Sequence, residues 1–351
     1  MSRQVVLFAG LHKTGSTSIQ NTCARNQRVL RNAGFLYPVL SHRGQKFTNH
    51  TSTLRYMFRR DPQRRGYLRQ YSEGSEAEAI AHRNNLREAM SSQLLNRSAN
   101  ILIAAEGVSL FTTVELNETK SWFNDRGCDI RIICYVRRLS GWISSMVSQR
   151  VTHERLSIAA AVGEFLETSG IVRDRIENIR SVFPDAKFYS YEVALQHRFG
   201  PVGFFFDAIG IGQPEEISFV KANEGRSDFA IRLLSSINEA LGPRIIDGHP
   251  NRRYADNHIS ALQTIPGPKF SLQLDEVSQL MPKLRTENEW LKETLGEEFY
   301  DQHPQFSNGP CAWTQKSLGR LEELSKTSSL LVRSLIASYL AGLETTSAGT
   351  P

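Results

Sequence analysis

No apolar run in this 351-residue sequence is long enough to span a bilayer. Val5 to Ala9 is far too short, and Leu330 to Leu343, the other apolar stretch, is short as well and broken by Arg333. Nothing ahead of Val5 has the build of a signal peptide, so a soluble, cytoplasmic protein without a membrane span is expected. Cysteine is scarce too. Cys23, Cys128, Cys134 and Cys311 stand far apart and form no C-x-x-C pair or zinc spacing, which excludes a disulfide scaffold; no metal site is expected. Internal repeats and long low-complexity segments are missing, and only residues 344–351 read as a disordered tail. Charge of one sign is in modest excess, 42 Lys and Arg against 36 Asp and Glu, a formal +6. That balance suits anionic small ligands, and no nucleic-acid partner is expected.

What is present is enough apolar material for a sizeable core, 40% of residues, and one stretch that organises the rest. Residues 5 to 20 read Val-Val-Leu-Phe-Ala-Gly-Leu-His-Lys-Thr-Gly-Ser-Thr-Ser-Ile-Gln. The run Val5 to Ala9 is a buried strand, Gly10 to Gly15 a tight loop, and Ser16 begins a helix. Loop amides and the positive end of the helix dipole then converge on one point, which favours a phosphate. In a nucleotide-hydrolysing P-loop, Lys and Ser/Thr directly follow the second glycine. Here Gly10 and Gly15 keep the separation, but Ser16 and Thr17 follow Gly15 and the lysine has moved forward to Lys13.

Downstream, strands and helices alternate, which predicts a mainly parallel sheet of about four to five strands with helices on both faces. The strands are Val5–Ala9, Ile101–Ala105, Ile130–Val136 and Lys187–Tyr191, and Phe35–Pro38 is a short extended piece. Helices are expected over Ser16–Asn32, Ser75–Asn96, Leu139–His153, Ile158–Thr168, Arg173–Phe183 and Phe199–Ile209. From about residue 224 the pattern is mostly helical, and one helix is expected from Gln315 to Leu343 with Leu321, Leu324, Leu331 and Leu335 on its inner face. The whole reads as a single α/β domain over residues 1–343. The arginine-rich segment Asp61–Arg69 reads as a surface stretch, a lid or part of an acceptor site.

The core His12-Lys13-Thr14-Gly15-Ser16-Thr17 resembles the loop of the PAPS-dependent sulfotransferases, which binds the 5′-phosphosulfate of the donor. Arg137, at a strand end, is followed eight residues later by Ser145, which resembles that family's 3′-phosphate site. The usual Asp-Pro after the arginine is Arg138-Leu139 here, so Arg138 is an alternative holder of that phosphate. Tyr189-Ser190-Tyr191-Glu192 and Asn288-Glu289-Trp290-Leu291 extend the resemblance along the chain, and Asn223-Glu224-Gly225-Arg226-Ser227 falls where a loop over the donor is expected, with Arg226 or Lys221 as a further phosphate contact.

The resemblance implies a P-loop-like three-layer sandwich. It also implies transfer of a sulfuryl group from PAPS to a hydroxyl or amine of an acceptor, a carbohydrate or glycoconjugate being the expected partner. Donor-binding residues are then His12, Lys13, Thr14, Gly15, Ser16, Thr17, Arg137 and Ser145, with Lys13 also stabilising the leaving phosphate. A hydroxyl acceptor needs a general base. His50, His42 and Glu106 are the choices, and His50, behind Asn49 at the entrance of an apolar-periodic helix, is the expected one. Two other readings stand beside this: a P-loop kinase or NTPase, and a binding protein that keeps the fold without the reaction. Acceptor identity and oligomeric state are not written in the sequence.

Overall fold

Val5, Val6, Leu7, Phe8 and Ala9 are all buried, as a strand covered on both faces requires. In the computed structural model, which describes residues 3–42, 45–59, 76–95, 99–212, 216–221, 225–242, 245–246, 249–251, 257–309 and 311–347, they belong to strand β1 (Arg3–Phe8) and the loop after it. The protein is α/β, and its one parallel sheet has five strands flanked by helices. The remaining strands of that sheet are β2 (Phe35–Leu36), β5 (Asn100–Ala104), β6 (Cys128–Val136) and β7 (Lys187–Ser190). Two short strands between them, β3 (Leu40–His42) and β4 (Gln45–Phe47), form an antiparallel hairpin where the sequence reads as a polar loop.

The order across the sheet is β2-β5-β1-β6-β7, and every pair is parallel. Phe8 stands opposite Ala104 in β5 and Ile133 in β6. The chain leaves β1 on one side and reaches β6 on the other, so the ends of β1, β5 and β6 flank the crevice where open α/β sheets place ligands.

Where the sequence reads as one domain, the chain groups into two compact units. The first takes in residues 1–138, 172–223 and 290–300, and contains the sheet. Its core is aromatic: Phe8 meets Tyr135 edge-on at 5.1 Å and Phe205 at 5.2 Å between ring centroids.

The expected helix Ser16–Asn32 is two helices, α1 (Ser16–Arg25) and α2 (Gln27–Asn32). Asn26 divides them at φ −108° and ψ 30°. Its side-chain amide donates to the Thr22 and Ser218 carbonyls, at 2.7 and 3.0 Å, while its side-chain oxygen accepts from the Ser218 amide at 2.9 Å. Such a partner lies outside any local pattern. Helix α3 (His50–Phe58) is capped by the Asn49 side chain, which accepts from the Thr51 amide at 2.9 Å and from Gln20 of α1 at 3.2 Å.

The second unit, residues 139–171, 224–289 and 301–351, is built mainly of helices. Its principal members are Leu139–Gln149, Ile158–Glu167, Asp228–Leu241, Gln315–Thr327 and Leu330–Ser347. One turn of π-helix, Arg150–Glu154, extends the first of these. Buried Asn238 crosses to it, donating to the Val151 and Leu156 carbonyls, both at 2.9 Å. The single helix expected over 315–343 breaks at Ser328, whose hydroxyl turns back to the Leu324 carbonyl. The break shifts the helical phase. Leu321 and Leu324 are buried as expected, but beyond it Val332 and Ile336 face inward and Leu331 is exposed. No helix among the described residues is long and apolar enough to cross a membrane.

Candidate active site

Past β1 the backbone stays on the sheet briefly: the Ala9 and Leu11 amides donate to the Ile133 and Tyr135 carbonyls of β6, at 2.8 and 3.0 Å. It then coils into a loop whose shape depends on three residues. Gly10 sits where a Cβ would come within 2.6 Å of the Phe8 ring and 2.9 Å of the Thr14 hydroxyl oxygen. Buried Thr14 donates its hydroxyl to the Leu11 carbonyl and closes the turn. Gly15 ends the loop at φ 81°, in the left-handed region that glycine enters without cost. Lys13 is in that region too, at φ 69°, which is strained for a residue carrying a Cβ.

Helix α1 starts immediately afterwards. Its hydrogen-bond ladder opens with the Ser18 and Ile19 amides donating to the Gly15 carbonyl, at 3.0 and 3.2 Å. The amides of Gly15, Ser16 and Thr17 therefore precede the ladder, at the positive end of the helix dipole. No acidic residue stands in the first turn to occupy that end. Ser16 is only 2% exposed, and its hydroxyl oxygen finds no hydrogen-bond partner among the described residues. A buried hydroxyl without a partner costs free energy unless a ligand or water supplies one.

Arg137, just beyond β6, reaches this loop. Its guanidinium donates to the Lys13 carbonyl at 3.4 Å, lies 4.0 Å from the Glu192 carboxylate, and sits over the Tyr191 ring at 5.7 Å. Burial lowers its pKa against the raising effects of Tyr191 and Glu192. Burial likewise raises the pKa of Glu192, which accepts from the Arg138 amide at 3.1 Å. Tyr191 also lines the loop, since a Cβ on Gly15 would lie 3.5 Å from its ring. Arg137 and Tyr191 thus stand against the two left-handed residues of the loop.

On the other side of β1, the Ala105 amide donates to the Phe8 carbonyl at 2.9 Å, and Glu106 opens a single-turn 3-10 segment, Glu106–Leu110. Helix α3 packs against that segment from one side and helix Arg173–Val182 from another. At Gly107 the approach to α3 is so close that a Cβ would meet the Thr51 methyl at 2.5 Å and the Arg55 stem at 3.1 Å. His12 faces this edge. Its pKa is lowered, chiefly by burial and further by the positive charges of Arg175, Lys13 and Arg55, with Glu106 opposing. The imidazole is therefore neutral at pH 7.

His50 occupies a different environment from the one a general base needs. It is fully buried, and both ring nitrogens are engaged: Nε2 donates to the Pro38 carbonyl at 2.8 Å, and Nδ1 accepts from the Ala104 amide at 3.1 Å. Burial lowers its pKa to about 4. Its ring also leans on Tyr37 at 4.5 Å. These bonds tie α3 to the end of β5 and leave no lone pair to take a proton from an acceptor.

The other expected positions divide. Ser145 lies half-buried on the Leu139–Gln149 helix of the second unit. Arg138 is exposed, and Arg226 donates to Gln263 at 2.8 Å. Asn288 is structural, bracketing the Asp301 backbone by an amide donor at 3.2 Å and an amide acceptor at 2.8 Å. His42 ends β3, its side chain outside the described residues, and so are segment Asp61–Arg69 and residues 222–224 of the loop expected over the donor. Sequence reasoning missed Arg175, which carried no signal beyond one more charge at a helix start.

Searches against protein-family models and against curated proteins find no match for this chain.

Proposed function

We propose that the first unit is a P-loop-like sulfotransferase domain and that the protein moves a sulfuryl group from PAPS to a hydroxyl acceptor. The observation that carries this reading is the buried, unpartnered Ser16 hydroxyl behind a left-handed Gly15 at the start of α1. That arrangement asks for an anion with several acceptor oxygens, and a phosphate fits it. With the lysine ahead of the second glycine and no Lys-Ser/Thr pair after it, a magnesium nucleotide is the less suitable occupant.

In this reading the amides of Gly15 to Thr17 and the Ser16 hydroxyl hold the 5′-phosphate, and Arg137 extends the positive rim from the end of β6. PAPS supplies an activated sulfuryl group on a good leaving phosphate. The acceptor oxygen forms its bond to sulfur as the sulfur–oxygen bond to the 5′-phosphate breaks, and the electron pair leaves on that phosphate. Lys13 neutralises the charge that gathers there, a contribution of electrostatic preorganisation with no covalent step by the protein. Because His50 has no lone pair to offer, the base passes to Glu106, at the end of the neighbouring strand and next to neutral His12.

Titration calorimetry of the full chain with adenosine 3′,5′-bisphosphate, set against ATP with magnesium, tests the reading. Micromolar binding of the bisphosphate is expected. Tight ATP binding with no affinity for the bisphosphate would refute it in favour of a kinase-like protein. Bisphosphate binding with no consumption of PAPS across an acceptor panel would favour a binding protein.

A further inference from the structure

Met281, Leu284, Arg285 and Asn288 follow one another at steps of three, one and three residues, which puts them on one stripe of helix Met281–Leu295. That stripe lines an open cavity with about 280 Å³ of empty space, and Asp301 and Phe306 line it as well. All six residues belong to the second unit. Asp301 is only 4% exposed and is firmly held. Its backbone amide donates to the Asn288 side chain at 2.8 Å, and its carbonyl accepts from the same side chain at 3.2 Å. Its Oδ2 accepts from the Ser140 amide at 3.0 Å and from the Ser140 hydroxyl at 2.6 Å. The second carboxylate oxygen, Oδ1, accepts no hydrogen bond among the described residues. A carboxylate offers acceptors alone, so burial leaves Oδ1 in want of a donor. Arg285 brings the opposite charge to the same cavity. It is exposed, and among the described residues it has neither an ion pair nor a hydrogen bond. An acceptor and a donor fork thus border one space without meeting, and Met281, Leu284 and Phe306 make the wall beside them apolar.

We infer that this cavity binds a small zwitterion with an apolar side chain, an aliphatic α-amino acid. Its ammonium donates to Asp301 Oδ1, its carboxylate pairs with the Arg285 guanidinium, and its side chain rests on Met281, Leu284 and Phe306. A water molecule satisfies Oδ1 and leaves the guanidinium and the apolar wall as they were. A metal cation finds one free carboxylate oxygen beside a positive charge, far short of the oxygen shell it needs. A molecule with a donor at one end and acceptor oxygens at the other satisfies both charged groups at once. The site lies wholly within the second unit, so it stands whether or not the first unit binds PAPS.

The test titrates the full chain, free of nucleotide, with L-valine and with the two molecules that each lack one of its charges, isobutylamine and isovalerate. Valine is expected to bind with a Kd of about 0.1–1 mM, and each analogue about tenfold more weakly or worse. Arg285→Gln should bring valine down to the level of isobutylamine and leave isobutylamine itself unchanged, while Arg285→Lys should keep part of the margin. Asp301→Asn, which sets an amide where the carboxylate accepted, should bring valine down to the level of isovalerate. Valine that binds no more tightly than its analogues, or that keeps its affinity in either Arg285→Gln or Asp301→Asn, overturns the inference. So does a wild-type chain that takes up no valine at about 10 mM, a cavity for water only. Circular dichroism and thermal melts screen the variants. If Asp301→Asn fails to fold for loss of its contacts to Ser140, Arg285→Gln, at an exposed position, carries the comparison.

Discussion

Replacing Ser16 by alanine should make the protein more stable and its site weaker. In the unliganded protein the Ser16 hydroxyl is buried with no hydrogen-bond partner among the described residues. Leaving a buried donor or acceptor unsatisfied costs about 1–3 kcal/mol, of which a water entering the loop recovers part, so about 1 kcal/mol is the net gain expected from removing it. Alanine in the first turn of α1 adds a few tenths of a kcal/mol through its higher helix propensity. For a chain of this size the gain is a rise in Tm of about 2 °C. Binding should move the other way. A hydrogen bond to a charged phosphate oxygen contributes about 1.5–3 kcal/mol, so the affinity for adenosine 3′,5′-bisphosphate should fall about tenfold or more. Calorimetric melts without ligand and titration calorimetry with it measure the two quantities on the same preparation. A Ser16→Ala protein that melts lower than wild type and binds the bisphosphate equally well would refute both the orphan hydroxyl and its assignment to the phosphate.

Other positions give equally direct expectations. Lys13→Gly relieves a left-handed residue at φ 69° and should stabilise the unliganded protein by about 1 kcal/mol, while sulfuryl transfer drops about 10²–10³-fold for loss of the charge on the leaving phosphate; transfer within threefold of wild type would remove Lys13 from the mechanism. Glu106→Gln should lower kcat by about 10²–10⁴-fold with bisphosphate affinity nearly unchanged, whereas His50→Gln should show its main loss in the melting curve; a kcat loss for His50→Gln in a protein of wild-type stability would return the base to His50. His50 also sets a pH dependence. Its folded pKa of about 4 lies below the ordinary value of 6.5, so between those limits the unfolded chain binds the extra proton and stability falls as the pH is lowered. The full effect is about 3 kcal/mol, constant below pH 4 and absent above pH 6.5, and a urea-unfolding series from pH 7.5 to 4 should show it in wild type and lose most of it in His50→Gln. Gly10→Ala should cost about 1–3 kcal/mol, because the ring its Cβ would strike, Phe8, is fixed between Tyr135 and Phe205; an undiminished Tm would argue against that packing.

The parallel sheet was legible because strands buried on both faces leave unbroken apolar runs, and Val5–Ala9, Ile101–Ala105 and Ile132–Val136 are such runs. The loop was legible for a similar reason: its two glycines mark backbone positions, one a close approach and one a left-handed turn, that other residues fill badly. What escaped depends on partners far away in sequence. Asn26 splits the first helix by bonding to Ser218. The Asn49-His50 pair reads as a cap and a base at a helix entrance, and the cap is there. Whether the histidine beside it looks outward or inward is decided by the Pro38 carbonyl and the Ala104 amide, neither visible in the local pattern.

Two of the loop's features work against stability in the absence of a ligand, and they lie within four residues of each other: the left-handed Lys13 and the orphan hydroxyl of Ser16. The Thr14 hydroxyl and Gly15 at φ 81° close the turn around them. Left-handed residues that carry a Cβ occur at Lys13 and Arg155 among the described residues, and at Lys13 the strain falls within one turn of an orphan hydroxyl. Such clustering is what a binding site leaves behind, because a ligand that accepts from Ser16 and pairs with Lys13 offsets both costs at once. The two penalties together amount to about 2–3 kcal/mol, which a phosphate making two charge-assisted contacts exceeds. It follows that the double variant Lys13→Gly with Ser16→Ala should be the most stable unliganded form of the protein and the one that gains least in Tm from the bisphosphate. A double variant that still gains as much as wild type would place the phosphate elsewhere.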